Sequence, residues 1–382
     1  MSGNLVRSLW LKIHLYLGLV FGLPLVLIGL SGSLIVFGWQ LDELLNSNLV
    51  RVDSSIVQER RPLADSLAAA NSHLPTNATP IDWLKLPKHA HEALRFSYSV
   101  PPDRDGYEIF VNPYTAEIIG NRLWGDFQSC CSWHGPLMAV IYRFHDSFWL
   151  GELGQNIVGS IGLLMLLSLI SGVILWWPNS KKWKTALVWK SNPSLQRRVF
   201  DIHKLAGIYP LTVMATLLFT GVYLNFPKQS KAMLNHFSTL TVEQDRFKSV
   251  HPEETAISLD HAIELATAQL PNKKLDSISL PISSDGVYIF SFFGGDEITE
   301  SQPGYTLVLD QYTGAVLYKT EANLKTTGDQ FHAWQFGLHS GQAFGLTGQL
   351  LVLFGGILPA LLFVTGVIRW RQKAKVKKQK SP

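Results

Sequence analysis

Four long apolar stretches stand out from a chain that elsewhere mixes polar and apolar positions. Leu15 to Trp39, Leu153 to Trp177, Leu205 to Phe226 and Leu346 to Ile368 each run without a charged residue. At about 1.5 Å per helical residue, each is long enough to cross a hydrocarbon core of roughly 30 Å. Long segments of mixed polarity separate the first pair and the last pair. Within them, ALRFSYSV from Ala93, YEIFVNPYTAEIIG from Tyr107, DGVYIFSFF from Asp285 and YTLVLDQYTGAVLY from Tyr305 predict strands. The second and fourth read as hairpins turning at Asn112-Pro113 and Asp310-Gln311. Leu259 to Gln269 carries a helical pattern.

The apolar stretches repeat. At an offset of 189 residues, His14 matches His203, Gly18 matches Gly207, Ser31-Gly32 matches Thr220-Gly221 and Phe37 matches Phe226. At an offset of 194, His145 matches His339, Gly151 matches Gly345, Gly154-Gln155 matches Gly348-Gln349, Ser171-Gly172 matches Thr365-Gly366 and Trp176 matches Trp370. Neither pairing needs a gap. The expected unit is a helix going out, an α+β domain and a helix coming back, present twice in one orientation. Such parallel repeats pack about a pseudo-twofold axis along the membrane normal.

Composition agrees with a membrane bundle carrying water-exposed parts: 47% of the 382 residues are hydrophobic and only 16% charged. The net charge of +4 hides an asymmetry. Arg7 and Lys12, the loop cations Lys181, Lys182, Lys184, Lys190, Arg197 and Arg198, and the tail from Arg369 to Lys380 hold 15 of the 33 basic residues. The positive-inside rule puts these stretches, and both termini, in the cytoplasm and the two long segments outside it. Topology thus accounts for the basic tail, and no nucleic-acid partner is expected. The first stretch reads as a retained helix, lacking a small-x-small cleavage site. The expected division is helix 1 over 1–39, a periplasmic domain over 40–144, helix 2 over 145–177 and a basic cytoplasmic loop over 178–202. Helix 3 over 203–226, a second periplasmic domain over 227–338, helix 4 over 339–370 and a cytoplasmic tail over 371–382 complete it.

The repeat constrains the chemistry. His14 and His203 are equivalent and are expected to start helices at the inner face; His145 and His339 are equivalent and precede helices at the outer face. A twofold axis brings each couple together across the bundle. Two imidazoles are too few for structural zinc, which takes four ligands, and are the right number for the axial positions of haem iron in a bundle core. Two haems are expected, b-type because no CxxCH motif is present. Gly18 and Gly207, one turn from their histidines, leave room for a flat macrocycle. Gly32, Gly221, Gly172 and Gly366 bring small residues to the haem levels from the other helices, although small residues in membrane helices also serve close packing. His134 and His332 are second-choice ligands, having no equivalent in the other repeat. His73, His89, His91, His236, His251 and His261 lie in polar segments and are expected at the surface. Lys12, Arg198, Lys204 and Arg143 are propionate partners or interfacial anchors. Cys130 and Cys131, the chain's two cysteines, exclude a disulfide framework and leave free thiols, a vicinal disulfide or a redox role open.

HxxxG at the first and third stretches, FHDSFWLGELGQNIVG, LHSGQAFGLTGQ and the recurring [ST]GV together resemble the PepSY-associated transmembrane family over nearly the whole chain. The resemblance implies PepSY-like modules in the outer segments and a haem-containing inner-membrane reductase linked to siderophore iron uptake. The expected fold is a membrane all-α four-helix bundle with two extracytoplasmic α+β domains and an internal duplication. The expected activity is ferric-chelate reduction in the periplasm, with a ferric siderophore as substrate and quinol or a cytoplasmic reductase as donor. No catalytic side chain is expected beyond the haem ligands. The alternative is a non-enzymatic, PepSY-type protease regulator or assembly factor; a permease is disfavoured because no broken helix with polar midplane residues is evident.

Overall fold

The structure, a computed structural model, describes residues 3–53, 59–101, 105–126, 130–131, 133–240, 247–250, 255–320 and 326–379. In chain order it runs α1 (Gly3–Ile35), α2 (Gly38–Leu45), α3 (Ser47–Val50), α4 (Leu63–Ser72), β1 (Trp83–Lys85), β2 (Leu94–Ser99), β3 (Gly106–Val111), β4 (Ile118–Gly125), α5 (Leu137–Ser147) and α6 (Gly151–Trp176). It continues through α7 (Trp183–Ala186), α8 (Leu195–Ile208), α9 (Leu211–Asn225), α10 (Pro227–Phe237), α11 (Leu259–Gln269), β5 (Lys274–Ser279), β6 (Val287–Phe293), β7 (Tyr305–Asp310), β8 (Val316–Lys319), α12 (Thr327–Ser340) and α13 (Gly345–Gln379). These form a helical unit (1–36, 141–232, 334–382) and a sheet unit (37–140, 233–333).

Three helices of the helical unit, Leu5–Ile35, Gly151–Trp176 and Gln342–Lys375, are long and apolar enough to cross a membrane. The third apolar stretch is not one straight helix. It breaks between α8 and α9 with a 60° bend, and the pair together is long and apolar enough for a fourth span. Pro210 explains the break: it has no N–H to give the Ala206 carbonyl, and its own backbone leaves the helical region (φ −90°, ψ 17°) while Tyr209 stays helical. The first stretch also ends early, at Ile35, and Trp39 belongs to α2. α8 starts inside the expected loop, where the Ser194 hydroxyl accepts from the Arg197 N–H. The expected tail continues α13 as helix to Gln379. Consequently His14 and His203 do not start helices; each lies inside one.

α1 packs on α6 and α13, and α9 packs on α6 and α13. α1 and α13 approach closely at Gly29 and Gly356, where the Ser33 hydroxyl donates to the Leu353 carbonyl at 2.7 Å. Two tight reversals feed the spans. Gly151 (φ 56°) turns α5 into α6, and Gly345 (φ 55°) turns α12 into α13, a left-handed backbone that favours glycine. Just beyond, Gly154 lies against the Ser147 carbonyl and Gly348 against the Gly341 carbonyl, where any Cβ would collide. The Gly-x-x-Gly-Gln spacing is therefore the chemistry of a corner, and it fixes the helix ends that carry His145 and His339.

The sheet unit holds one eight-stranded antiparallel sheet in the order β4-β3-β2-β1-β5-β6-β7-β8. The segments over 40–144 and 227–338, expected from the sequence to form two separate domains, thus share one sheet. β1 pairs with β5 in the register Leu84↔Ile278, joining two four-stranded halves that would each otherwise leave an open edge. Leu84, Ile278, Phe96 and Phe290 are fully buried in one core, with Ala70 of α4 and Ala262 and Ala266 of α11. Lys85 reaches Asp276 across the seam at 2.9 Å. Charges clamp α2 to the first half: Arg122 spans Asp42 (3.0 Å) and Glu108 (2.8 Å), and Arg95 lies over the Trp39 ring.

Candidate histidine-pair site

Each histidine couple meets within the helical unit. The His14 and His203 ring centres are 6.1 Å apart, and those of His145 and His339 are 6.0 Å apart. The couples sit at opposite ends of the spanning helices: His14 lies toward the start of α1, and the seat of His145 lies near its end.

A serine or threonine followed by glycine seats every ring. A Cβ built on Gly32 would stand 2.7 Å from Cε1 of His145, one on Gly172 3.1 Å from that of His14, one on Gly221 3.2 Å from that of His339, and one on Gly366 3.5 Å from that of His203. These four glycines thus make room for imidazoles rather than directly for a macrocycle, which corrects the sequence expectation. A Cβ on Gly18 would meet nothing within 4 Å, and one on Gly207 would meet only Leu362, at 3.8 Å. Open space thus lies one turn from His14, whereas one turn from His203 Gly207 faces Leu362 at contact distance.

The neighbouring hydroxyls set the tautomer. Nδ1 of His14 lies 3.1 Å from Ser171 Oγ, that of His145 3.3 Å from Ser31 Oγ, that of His203 2.9 Å from Thr365 Oγ1 and that of His339 2.9 Å from Thr220 Oγ1. Each hydroxyl already spends its hydrogen on its own helix: Ser31 on Leu27, Ser171 on Ser168, Thr220 on Thr216 and Thr365 on Leu361, at 2.6–2.8 Å. The oxygen can therefore only accept, and Nδ1 must donate. Carbonyls three residues before each hydroxyl also face the rings: Ser168 at 3.0 Å from His14 and Ile28 at 2.8 Å from His145, with Leu362 and Leu217 bonding to His203 and His339. With Nδ1 protonated in all four rings, each Nε2 keeps its lone pair, as a metal ligand requires.

The donor set fits a bis-imidazole iron. A nitrogen ligand sits about 2 Å from a bound first-row metal and roughly 1.2 Å from its own ring centre, so two imidazoles on one iron would place their centres about 6.4 Å apart. Among the described residues no cluster of three or more His, Cys, Asp or Glu could hold a metal ion, so each couple stands as a two-ligand site. His14, His203, His145 and His339 are the residues that would hold haem.

The rival residues lie elsewhere. His134 is exposed, its ring 4.8 Å from that of Trp133, and His332 is exposed on α12. His73, His89, His236 and His261 are exposed, whereas His91 is half-buried against His89 and Glu43. His251 lies outside the described residues. Lys204 is committed to the buried Asp201 at 3.1 Å. Lys12 is exposed, Arg198 reaches the Pro193 carbonyl, and Arg143 is buried at 2% exposure two residues before His145. Cys130 and Cys131 are joined as an exposed vicinal disulfide, so they are not free thiols. The sequence did not disclose that [ST]G seats the histidines; the signal was its recurrence at each end of the repeat.

A stretch of 86 residues is 30% identical to the uncharacterized protein PA4219 of Pseudomonas aeruginosa, covering 22% of this chain and 21% of that one. The chain thus matches about a fifth of that relative's length. The model of the PepSY-associated TM region matches residues 11–373 and takes in all four paired histidines, their [ST]G seats and the strands between them. The chain belongs to the PepSY-associated transmembrane family.

Proposed function

We propose that the chain is a duplicated, four-span di-haem protein of the bacterial inner membrane. It carries electrons outward and reduces ferric iron, presented as a siderophore complex, in the periplasm. Both termini lie in the cytoplasm, and quinol or a cytoplasmic reductase supplies the electrons. The observation that carries the reading is the fourfold seat: two imidazole couples about 6 Å apart, every Nδ1 tied down and every Nε2 left basic. A non-enzymatic PepSY regulator has no use for a tautomer fixed four times over.

Bound haem would supply a one-electron iron couple at each pair. The protein's own part is positional. Hydroxyl and carbonyl acceptors hold the four rings in orientation and make their Nε2 atoms better donors. Were both histidines of a couple to hold the iron, they would leave oxygen and the chelate no open position, which favours outer-sphere delivery to the substrate. Outward movement of an electron follows an inside-negative potential, worth about 2.3 kcal/mol per 100 mV for a full crossing. Reduction of Fe(III) weakens its hold on hard oxygen ligands and releases the iron.

Purified protein should show a reducible low-spin haem spectrum and reduce a ferric siderophore when supplied with a quinol or a chemical donor. Haem-replete protein that reduces no ferric chelate overturns the reductase reading.

A further inference from the structure

One apolar groove in the helical unit carries two polar side chains. It lies between α1 and α6, has a volume of about 400 Å³ and is lined by Val20, Phe21, Pro24, Ile157, Ile161 and Leu164, with Asn156 and Ser160 as its polar side chains. Both polar residues are exposed, beside the outward-facing Leu153 and Leu163. They continue a ladder that starts at Glu152, itself 80% exposed. Residues four apart share a helix face.

The second copy of the proposed duplication lacks this ladder. At the 194-residue offset, Glu152, Asn156 and Ser160 are replaced by Leu346, Leu350 and Phe354. All three are exposed, at 63%, 40% and 61%. The fold therefore does not require polar groups there. A second feature of the groove points the same way. Pro24 sits inside α1 and has no N–H to give the carbonyl of Val20. Both residues line the groove. In lipid, a carbonyl without its donor is a cost that a ligand hydroxyl removes. The corresponding residue in the second copy is Val213, which has an N–H.

Each polar group is half-used. Asn156 donates to the Glu152 carbonyl at 2.9 Å, leaving its second N–H and its oxygen; Ser160 donates to the Asn156 carbonyl at 2.7 Å, leaving its oxygen as an acceptor. The groove thus offers acceptors to hydroxyls and a donor to a carbonyl, open to the lipid side. Along α1 it lies about 12 Å from the level of His14 and about 15 Å from that of Gly32, between the two histidine couples.

The geometry points to a membrane quinol as the occupant: a hydrophobic ring with two hydroxyls that become carbonyls on oxidation, taken from the bilayer at mid-depth between the redox couples. This rests on the electron-transfer reading above and narrows its donor to one class. Oxidation of one quinol releases two electrons and two protons; haem held by the paired histidines would take the electrons singly, enough to reduce two ferric ions, and the protons would leave past Glu152 to water.

The test is binding of reduced decylubiquinone (decylubiquinol, kept under argon) to full-length protein in phosphatidylcholine nanodiscs, with the Soret band read on the same samples. Asn156→Leu with Ser160→Phe installs the residues the second copy already tolerates. This double variant should weaken binding by about tenfold or more, from lost hydrogen bonds and a filled groove. Val20→Trp, filling the groove from the other wall, should do the same should the double variant fail to fold. Leu350→Asn with Phe354→Ser should change nothing. Wild-type protein that binds no quinol, or variants that bind it equally, overturns the site, including the case of a groove that takes only acyl chains. Quinol binding without a Soret band would instead sink the haem reading and leave the groove standing.

Discussion

Gly32 lies directly beneath the ring of His145: a Cβ there would stand 2.7 Å from Cε1. Contacts of that length force something to move, and this ring is held by Ile28 and Ser31 of the same helix. The four seats differ in slack, and the order of their clearances makes a graded prediction. Gly32→Ala should be the most damaging, Gly172→Ala (3.1 Å) and Gly221→Ala (3.2 Å) intermediate, and Gly366→Ala (3.5 Å) the mildest. Overpacking of about 1–3 kcal/mol at the tightest seat corresponds to a loss of haem affinity there of about 5- to 150-fold. Haem per protein after purification, resolved into two centres by redox titration, checks the order.

Thr220 accepts from His339 Nδ1 while its own hydrogen goes to Thr216. Thr220→Val keeps the shape and removes the acceptor. Haem affinity at the outer centre should fall about 10- to 100-fold, as for other partners of ligand histidines. Thr220→Ser should restore it. A merely structural threonine would leave the midpoint potential of that centre unchanged in the valine variant.

The sheet unit should behave as one cooperative body, because its halves share the β1–β5 seam and one core. Ile278→Ala, at a fully buried position opposite Leu84, should cost about 2–5 kcal/mol. Hydrogen exchange should then speed up in β1 and β2 as well as in β5 and β6. Faster exchange confined to the second half would mean two independent domains.

Asp310 gives this unit an acid limb. Burial opposes its ionisation, but the N–H groups of Thr313, Tyr312 and Val250 outweigh that and hold its carboxyl below the usual aspartate range. A depressed pKa contributes stability that is fully present above the unfolded value, near pH 4, and is lost as pH falls through the folded value. Asp310→Asn should destabilise the sheet by about 1–3 kcal/mol at neutral pH and flatten the loss of stability below about pH 4, as read by sheet unfolding in denaturant.

Much of this was legible in the sequence, for identifiable reasons. His14, His203, His145 and His339 were readable because a gapless internal repeat marks them, and the hairpins after Tyr107 and Tyr305 because aromatic and β-branched runs bounded by turn residues announce them. β1 was not, since three residues, Trp83 to Lys85, carry no period; β5 was not, since Lys-Leu-Asp-Ser-Ile-Ser reads as loop. Their pairing joined what the sequence divided. The break at Pro210 was hidden by a continuous apolar run. The hydroxyl seats pair residues more than 100 positions apart, a relation that local pattern does not encode.

The most direct measurement is the low-temperature EPR and optical spectrum of the purified protein beside His14→Ala and His339→Ala. Two low-spin bis-imidazole centres in the wild type, with a different one lost in each variant, are the expected result. A wild type without a Soret band after haem-sufficient expression, or variants that both keep the two centres, would contradict the paired-histidine site.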